Sequence, residues 1–194
     1  MKQKPDLGRP SLEVIEKALQ KQKRIVLIRK AVWDTLRAIL ICAAAIIVLS
    51  YLWLPVFQVS GSNMDPALTN GDTIVAAREK AFHRGDIVVF HYDSKVLVKR
   101  VIALGGDTVS ISSDGTVSVN GAVLDEPYVS SKSLGQCDIQ FPYTVPANHL
   151  FVLGDDRASS LDSRVGMIVP VGMEQVVGKA VFRLLPLGRL GPIH

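Results

Sequence analysis

The chain has 194 residues, which suits one modest domain with appendages, and 48% of them are hydrophobic. Its mean hydropathy of +0.27 is high for a soluble domain of this length, so a membrane segment is the first feature to seek. The net charge of +4 is uneven: residues 1–37 hold ten Lys or Arg against four Asp or Glu, and residues 58–194 hold twelve against fourteen. The two cysteines, Cys42 and Cys137, are too few for a disulfide framework or a cysteine-based metal site.

The basic arm, residues 1–37, is predicted to be helical. Pro10 and Ser11 provide a helix start, and apolar residues then recur at helical spacing among the charges. A basic arm can indicate nucleic-acid binding, but these charges precede an apolar run and do not cover the folded domain, which excludes that class. Two interpretations of the arm remain open: its basic face rests on anionic lipid headgroups, or it is a solvated helix.

Residues 38–57 form a run of twenty residues without a charge and are predicted to be a transmembrane helix. At about 1.5 Å per residue such a helix covers a hydrocarbon core of roughly 30 Å. Tyr51 and Trp53 lie near its far end, where aromatic rings favour the interface, and Pro55 is expected to end or bend the helix. A cleaved signal peptide is disfavoured because the basic region and the apolar run are both too long and no small-residue cleavage site follows.

The distribution of charge predicts a single-pass protein of the cell membrane. Lys and Arg concentrate before the span, so residues 1–37 are placed in the cytoplasm and residues 58–194 outside it. On this placement Cys42 lies in lipid and Cys137 lies outside, so the two thiols do not pair.

The pattern beyond the span predicts a mostly β domain over residues 58–194, an antiparallel sheet or a barrel-like arrangement. Seven short β-branched segments are bounded by Gly, Asp, Asn and Pro, namely DTIVAA, DIVVFHY, KVLVKRVIAL, TVSIS, TVSVNG, HLFVLG and KAVFRLL. Asp114-Gly115 and Asn120-Gly121 are hairpin turn signals on either side of one strand. Tyr128–Pro146 is predicted to be a loop excursion.

The histidines do not indicate a metal site, because they are scattered and lack the spacing of known ligand motifs. The chain has no G-x-S-x-G elbow, although a Ser-His-Asp triad with distant members stays open. Three other segments carry the chemistry: QVSGSNMDPALTNGD over residues 58–72, VKRVIALGGD over 98–107 and GDDRASSLDSR over 154–164. Taken singly they fit a turn, a surface strand and a polar loop.

Taken together and in this order behind one span, the three segments resemble the type I signal peptidases. That family's motifs read roughly G-x-S-M-x-P-T-L, K-R-V-x-x-x-P-G-D and G-D-N-R-x-x-S-x-D-S-R. The resemblance implies a membrane-bound serine endopeptidase that removes signal peptides from secreted preproteins by a Ser–Lys mechanism. It implies no cofactor and no metal, and the partners that it implies are signal peptides and the lipid bilayer. The preproteins recognised and the oligomeric state do not follow from it.

The resemblance assigns roles to residues of this chain. Lys99 matches the general base, Ser160 matches the serine that orients the lysine amine, and Asp162 and Arg164 match an ion pair that braces the site. The other positions that match or adjoin the three motifs are Gly61, Ser62, Met64, Pro66, Arg100, Gly154, Asp155 and Ser163. Three departures from the motifs are mild: Ala67 for Thr, Gly105 for Pro and Asp156 for Asn.

The departure at position 63 is chemical, because Asn63 stands where the family carries its nucleophilic serine. A carboxamide nitrogen is delocalised into its carbonyl and cannot be activated by proton transfer as a hydroxyl can. Three interpretations are open: a non-catalytic protein that binds signal-peptide-like segments or assists an active relative, catalysis shifted to Ser62, or an active enzyme with an altered residue. Ser62 requires a local bulge, since a one-residue shift along extended backbone turns the side chain to the other face.

A membrane-tethered β domain with only structural or partner-binding work is the competing class. It predicts that Lys99 is exposed, as lysines on strands usually are, and that Ser160 lies far from it. A buried Lys99 beside Ser160 would favour the peptidase-like site.

Overall fold

The computed structural model describes residues 12–79, 81–168 and 170–193 of the chain. The chain divides into two compact units, Met1–Ser50 and Tyr51–His194. The first contains most of one long helix, and the second contains the β-strands and every residue discussed as part of a site.

Helix α1 spans Leu12–Trp53 and includes the described part of the predicted helical arm. The predicted helix start at Pro10 and Ser11 lies outside the described residues. Within the helix, Leu19–Val48 is long and apolar enough to cross a membrane by length and composition, and its most apolar stretch is not buried within the protein.

The end of α1 differs from the predicted span of residues 38–57, because the helix ends at Trp53. Pro55 has no backbone N–H, and its ring disfavours helical backbone at Leu54. The chain therefore leaves the helix early and forms strand β1, Val56–Gln58. The last residues of the predicted span thus belong to a sheet.

The larger sheet has eight strands, all paired antiparallel, which confirms the predicted fold class. Its strands follow the order β1-β2-β11-β3-β4-β9-β10, and β12 pairs with β11. Besides β1 the members are β2 (Thr73–Ala77), β3 (Ile87–Tyr92), β4 (Lys95–Leu104), β9 (His149–Leu153), β10 (Val171–Gly172), β11 (Val176–Leu185) and β12 (Gly191–Pro192).

The smaller sheet has the order β7-β6-β5-β8. Its strands are β5 (Thr108–Ile111), β6 (Val117–Val119), β7 (Ala122–Val123) and β8 (Tyr143–Thr144). The predicted hairpin turns join β5 to β6 and β6 to β7. At the second turn Asn120 has φ 54° and Gly121 has φ 82°, the left-handed backbone that an Asn-Gly pair tolerates.

The predicted loop excursion over Tyr128–Pro146 is irregular for most of its length, but Tyr143 and Thr144 form strand β8. This strand was not predicted because two residues carry no period of their own. Thr108 and Thr144 pair across the sheet, and Val145 is buried in the core behind it.

One apolar cluster lies beneath the first of the three motif segments. Met64 and Leu68 are buried there beside strand residues Ile74 and Val89. Burying side chains of this size contributes about 1.5–3 kcal/mol each, so the segment has a fixed position on the sheet.

Candidate active site

The first motif segment is a closed loop between β1 and β2. Val59 N donates to Asp72 O at 2.8 Å, which closes the base of the loop. Inside it, Leu68 N donates to Met64 O at 2.8 Å, and both side chains are buried at 1% exposure or less. Asn63 directly precedes this anchored turn, so its backbone is held close to the sheet.

The other predicted residues of the loop lie around that turn. Gly61 has φ 87°, a left-handed conformation that favours glycine, and its N–H donates to Asn70 Oδ1 at 3.0 Å. Ser62 and Pro66 are exposed.

Two arginines from β11 and the turn that follows it hold the same loop from outside. Arg183 donates to Ala67 O, and its Nε lies 3.0 Å from Asp72 Oδ2 in an ion pair that lacks hydrogen-bond alignment. Arg189 Nη1 donates to Thr69 Oγ1 at 2.7 Å. The loop therefore depends on residues far along the chain.

Lys99 lies on β4 and is only 1% exposed. Its Nζ donates a hydrogen bond of 2.8 Å to Ser160 Oγ. Burial penalises the charged amine and lowers the pKa of Lys99 to about 8, with Arg164 acting in the same direction and Asp162 opposing it. This buried pair contradicts the exposed lysine and distant serine that a purely structural domain predicts.

The third motif segment reaches this pair through a close approach at Gly154. A side chain there would begin 2.1 Å from Ser160 Oγ and 2.5 Å from Asn63 O, which only glycine avoids. Gly154 N donates to Asp162 Oδ2 at 3.0 Å, so the backbone turn is tied to the acid that follows it.

Two neighbours of that turn link it to the rest of the site. Asp156 N donates to Asn63 O at 3.2 Å, which joins the first and third motif segments. Ser163 Oγ accepts from Val152 N at 3.0 Å and so braces β9. Asp156 therefore contacts the backbone of position 63, whichever side chain position 63 carries.

Asp162 and Arg164 form an ion pair of 2.8 Å in which both side chains are completely buried. The guanidinium also donates to Ser133 O at 3.2 Å, Leu134 O at 2.7 Å and Arg157 O at 2.8 Å. Arg164 thereby fastens the loop excursion to the third motif segment.

A second buried network contains Glu126, Tyr128 and Arg157, which the sequence motifs did not assign to the site. Arg157 makes two hydrogen bonds with Glu126, at 2.6 and 3.0 Å, and Tyr128 donates to the same carboxylate at 3.1 Å. Arg100, next to Lys99 in sequence, pairs with Asp155 at 2.7 Å and lies 4.0 Å from the centre of the Tyr128 ring. Glu126 lies just before the predicted loop, and the sequence gave no sign of its burial, since its partner is 31 residues away.

Asn63 and Lys99 line one cleft together. Of residues 60–64, Ser60, Gly61, Asn63 and Met64 line it and Ser62 does not. The remaining lining comes from residues Phe57, Gln58, Val59, Val96, Leu97 and Val98.

The described histidines, His83, His91 and His149, are absent from the lining of this cleft. His149 Nδ1 lies 2.8 Å from Ala147 O, and His91 is exposed. Among residues 12–79, 81–168 and 170–193, no group of three or more His, Cys, Asp or Glu could hold a metal ion.

The pKa of Lys99 predicts a pH-dependent contribution to stability. Below pH 8 Lys99 is protonated in both the folded and the unfolded chain, so the folded state bears the full cost of burying the charge. Between pH 8 and 10.5 the folded chain has lost this proton while the unfolded chain still holds it, so the unfolding free energy rises with pH. The Lys99→Met variant should exceed the unaltered chain in unfolding free energy at pH 7 by about 2–3 kcal/mol. Denaturant unfolding in detergent should show this advantage shrinking towards pH 10.5.

Lys179→Met is the matched control for that experiment. Asp86 raises the pKa of Lys179, so this lysine stabilises the fold in its charged form and its removal should bring no gain at pH 7. Equal effects of the two substitutions at every pH would contradict the account of Lys99.

Comparisons with known proteins add a further finding. Residues 32–185 match the family model described as signal peptidase, peptidase S26. A signal peptidase I of Bacillus licheniformis is 32% identical over 176 residues, 84% of this chain and 93% of that protein. Signal peptidase I S of Bacillus subtilis (strain 168) is 31% identical over 175 residues, 84% of this chain and 94% of that protein. A crystal structure of a signal peptidase I from Enterococcus faecalis V583 is 30% identical, covers 51% of this chain and 96% of its own, and has a TM-score of 0.43.

Proposed function

Because this chain belongs to the signal peptidase family, peptidase S26, we propose that it binds the cleavage segment of signal peptides in its cleft and, with asparagine at position 63, leaves the segment uncut. The observation that carries the proposal is the buried Lys99 amine, 2.8 Å from Ser160 Oγ, in a cleft that also contains Asn63. The site thus retains its base and lacks only a hydroxyl to deprotonate.

Lys99 is assigned the role of general base and Ser160 the role of orienting its amine. A base must be neutral to accept a proton, and with a pKa of about 8 roughly a tenth of the amine is neutral at pH 7. In the family mechanism this amine takes the proton of a serine as the serine attacks the scissile carbonyl. The Asn63 carboxamide offers no such nucleophile, so the peptide bond of the ligand survives.

Ser62 is not favoured as a replacement nucleophile. It is exposed, and it is absent from the lining of the cleft that holds Asn63 and Lys99. A hydroxyl must lie within hydrogen-bond reach of its base in the reacting complex. The position of Ser62 therefore supports capture without catalysis.

Membrane anchoring belongs to the same proposal. Helix α1 supplies a segment of sufficient length and apolarity, and the basic residues that precede residue 38 favour a cytoplasmic N-terminus by the positive-inside rule. The β-rich unit then lies outside, on the side where signal peptides of secreted preproteins present their cleavage segments. The ligand and this unit thus share one membrane surface.

The test is incubation of the detergent-solubilised chain with a preprotein that carries an Ala-x-Ala segment. We expect the preprotein to co-purify with the chain and to keep its full length. A matched preprotein with Phe-x-Phe in place of the small residues should neither bind nor be cut. Cleavage by the unaltered chain would overturn the proposal and make Ser62→Ala the next variant, and failure to bind would overturn capture.

A further inference from the structure

The Asn63 side chain contributes a carboxamide to the lining of the cleft. We propose that its carboxamide binds the main chain of the captured peptide, donating from Nδ2 to a carbonyl oxygen and accepting at Oδ1 from an N–H of the same extended segment. This inference rests on the proposed capture function and names the group that provides part of its affinity.

The first observation is an open hydrogen-bonding capacity. A carboxamide has two donor hydrogens and one acceptor oxygen, and such groups in partly buried positions usually have partners. Within the described residues no hydrogen bond reaches the Asn63 side chain, although it is half-buried in the lining of the cleft. A ligand in the cleft would meet an amide with its donors and acceptor still available.

The second observation is the space beside that amide. Gly61 has no side chain, and one built there would begin 3.9 Å from Asn63 Nδ2. Gly61 also lines the cleft, so the amide is approached past bare backbone. Position 61 therefore puts no side chain between a peptide main chain and this amide.

The third observation is the rigidity of the backbone that carries the amide. Asn63 O accepts from Asp156 N at 3.2 Å, and Asp65 N donates to Ser62 O at 2.9 Å across the turn. Met64, the next residue, is 1% exposed. A group held in place before binding loses little conformational entropy when it binds, so its hydrogen bonds contribute more of their strength to affinity.

The Asn63 carboxamide and the walls of the cleft are complementary to a peptide main chain. A carboxamide reproduces the paired donor and acceptor of a peptide group, and the walls of the cleft include residues 57–60, which begin in strand β1, and β4 residues Val96–Val98. Those walls suit an extended peptide. The side chain at the nucleophile position thus hydrogen-bonds the peptide and does not attack its carbonyl.

The experiment measures the affinity of the full chain in detergent for a labelled peptide with an Ala-Gln-Ala segment. A second peptide replaces the amide after the last alanine of that segment by an ester, which removes one N–H. Asn63→Ala is expected to weaken binding of the amide peptide about three- to tenfold, as for loss of one or two hydrogen bonds. The ester should weaken binding to the unaltered chain by a similar factor and make little difference to Asn63→Ala.

Gln140→Ala is the matched control, since it removes an exposed carboxamide away from the cleft and should bind both peptides as the unaltered chain does. Equal affinity of Asn63→Ala and the unaltered chain for the amide peptide would overturn the inference while leaving capture intact. So would an ester effect of the same size in both proteins. The ester comparison on the unaltered chain needs no variant to fold, and a chain that binds neither peptide overturns capture and inference together.

Discussion

Asn63→Ser is expected to cut a preprotein at its signal junction at a rate at least about 10³-fold above the unaltered chain, because loss of the nucleophile typically costs more than that in serine peptidases. The substitution places a hydroxyl in the cleft that also contains the Lys99 amine, whose lowered pKa leaves part of it neutral near pH 7. The remaining parts of the site, including the hydrogen bond between Lys99 and Ser160, are already present. Gel analysis of the processed preprotein measures the effect.

The pH profile of that variant identifies the base. Cleavage needs the neutral amine, whose fraction rises with pH, so the rate should rise nearly tenfold between pH 6 and 7 and level off above a pKa of about 8. The double variant Asn63→Ser/Lys99→Ala should be silent. Asn63→Ser/Lys179→Ala should keep the profile, since Lys179 pairs with Asp86 and is not part of the cleft lining. A flat profile, or cleavage without Lys99, would show that another group takes the proton.

Arg164→Met is expected to cost about 3–5 kcal/mol of unfolding free energy, the range for removing one partner of a buried ion pair. Asp162 would be left as an uncompensated buried charge, and the carbonyl oxygens of Ser133 and Leu134 would lose their donor. Thermal unfolding of the full chain in detergent measures the loss.

Arg84→Met is the matched control for this prediction. Arg84 pairs with Asp107 at 2.6 Å but is 41% exposed, so its removal should cost no more than about 1 kcal/mol. A loss at Arg164 no greater than the loss at Arg84 would mean that the buried pair does not stabilise the fold.

The sequence predicted the class of the fold and the order of its parts well. Strands such as β3 and β4 are long enough to show β-branched patterns between turn residues. The Asn120-Gly121 turn was predictable because Asn and Gly both tolerate the positive φ angles that this turn requires. The two-residue strands β7 and β8 went unpredicted because their pairing depends on tertiary contacts and not on local pattern.

The same distinction between local pattern and tertiary contact applies to the residues of the site. The three motif segments placed Lys99 and Ser160 in one hypothesis although 61 residues separate them. They could not indicate the burial of Glu126 or its pairing with Arg157, because a lone acid in a loop usually lies in solvent. Nor could a sequence reveal that the Asn63 amide lies in the cleft without a hydrogen-bond partner among the described residues.

The loop that contains Asn63 is held by Arg183 and Arg189, whose contacts with it span 116 and 120 residues. Contacts of such separation carry the entropy cost of closing a long loop, and they cannot form before both ends of that loop exist. The β5–β6 hairpin, in contrast, pairs Val109 with Val119 across a separation of ten residues. The Asn63 loop can therefore reach its final position only after residues 183 and 189 have been synthesised, whereas the pairing of β5 with β6 needs no residue beyond 119.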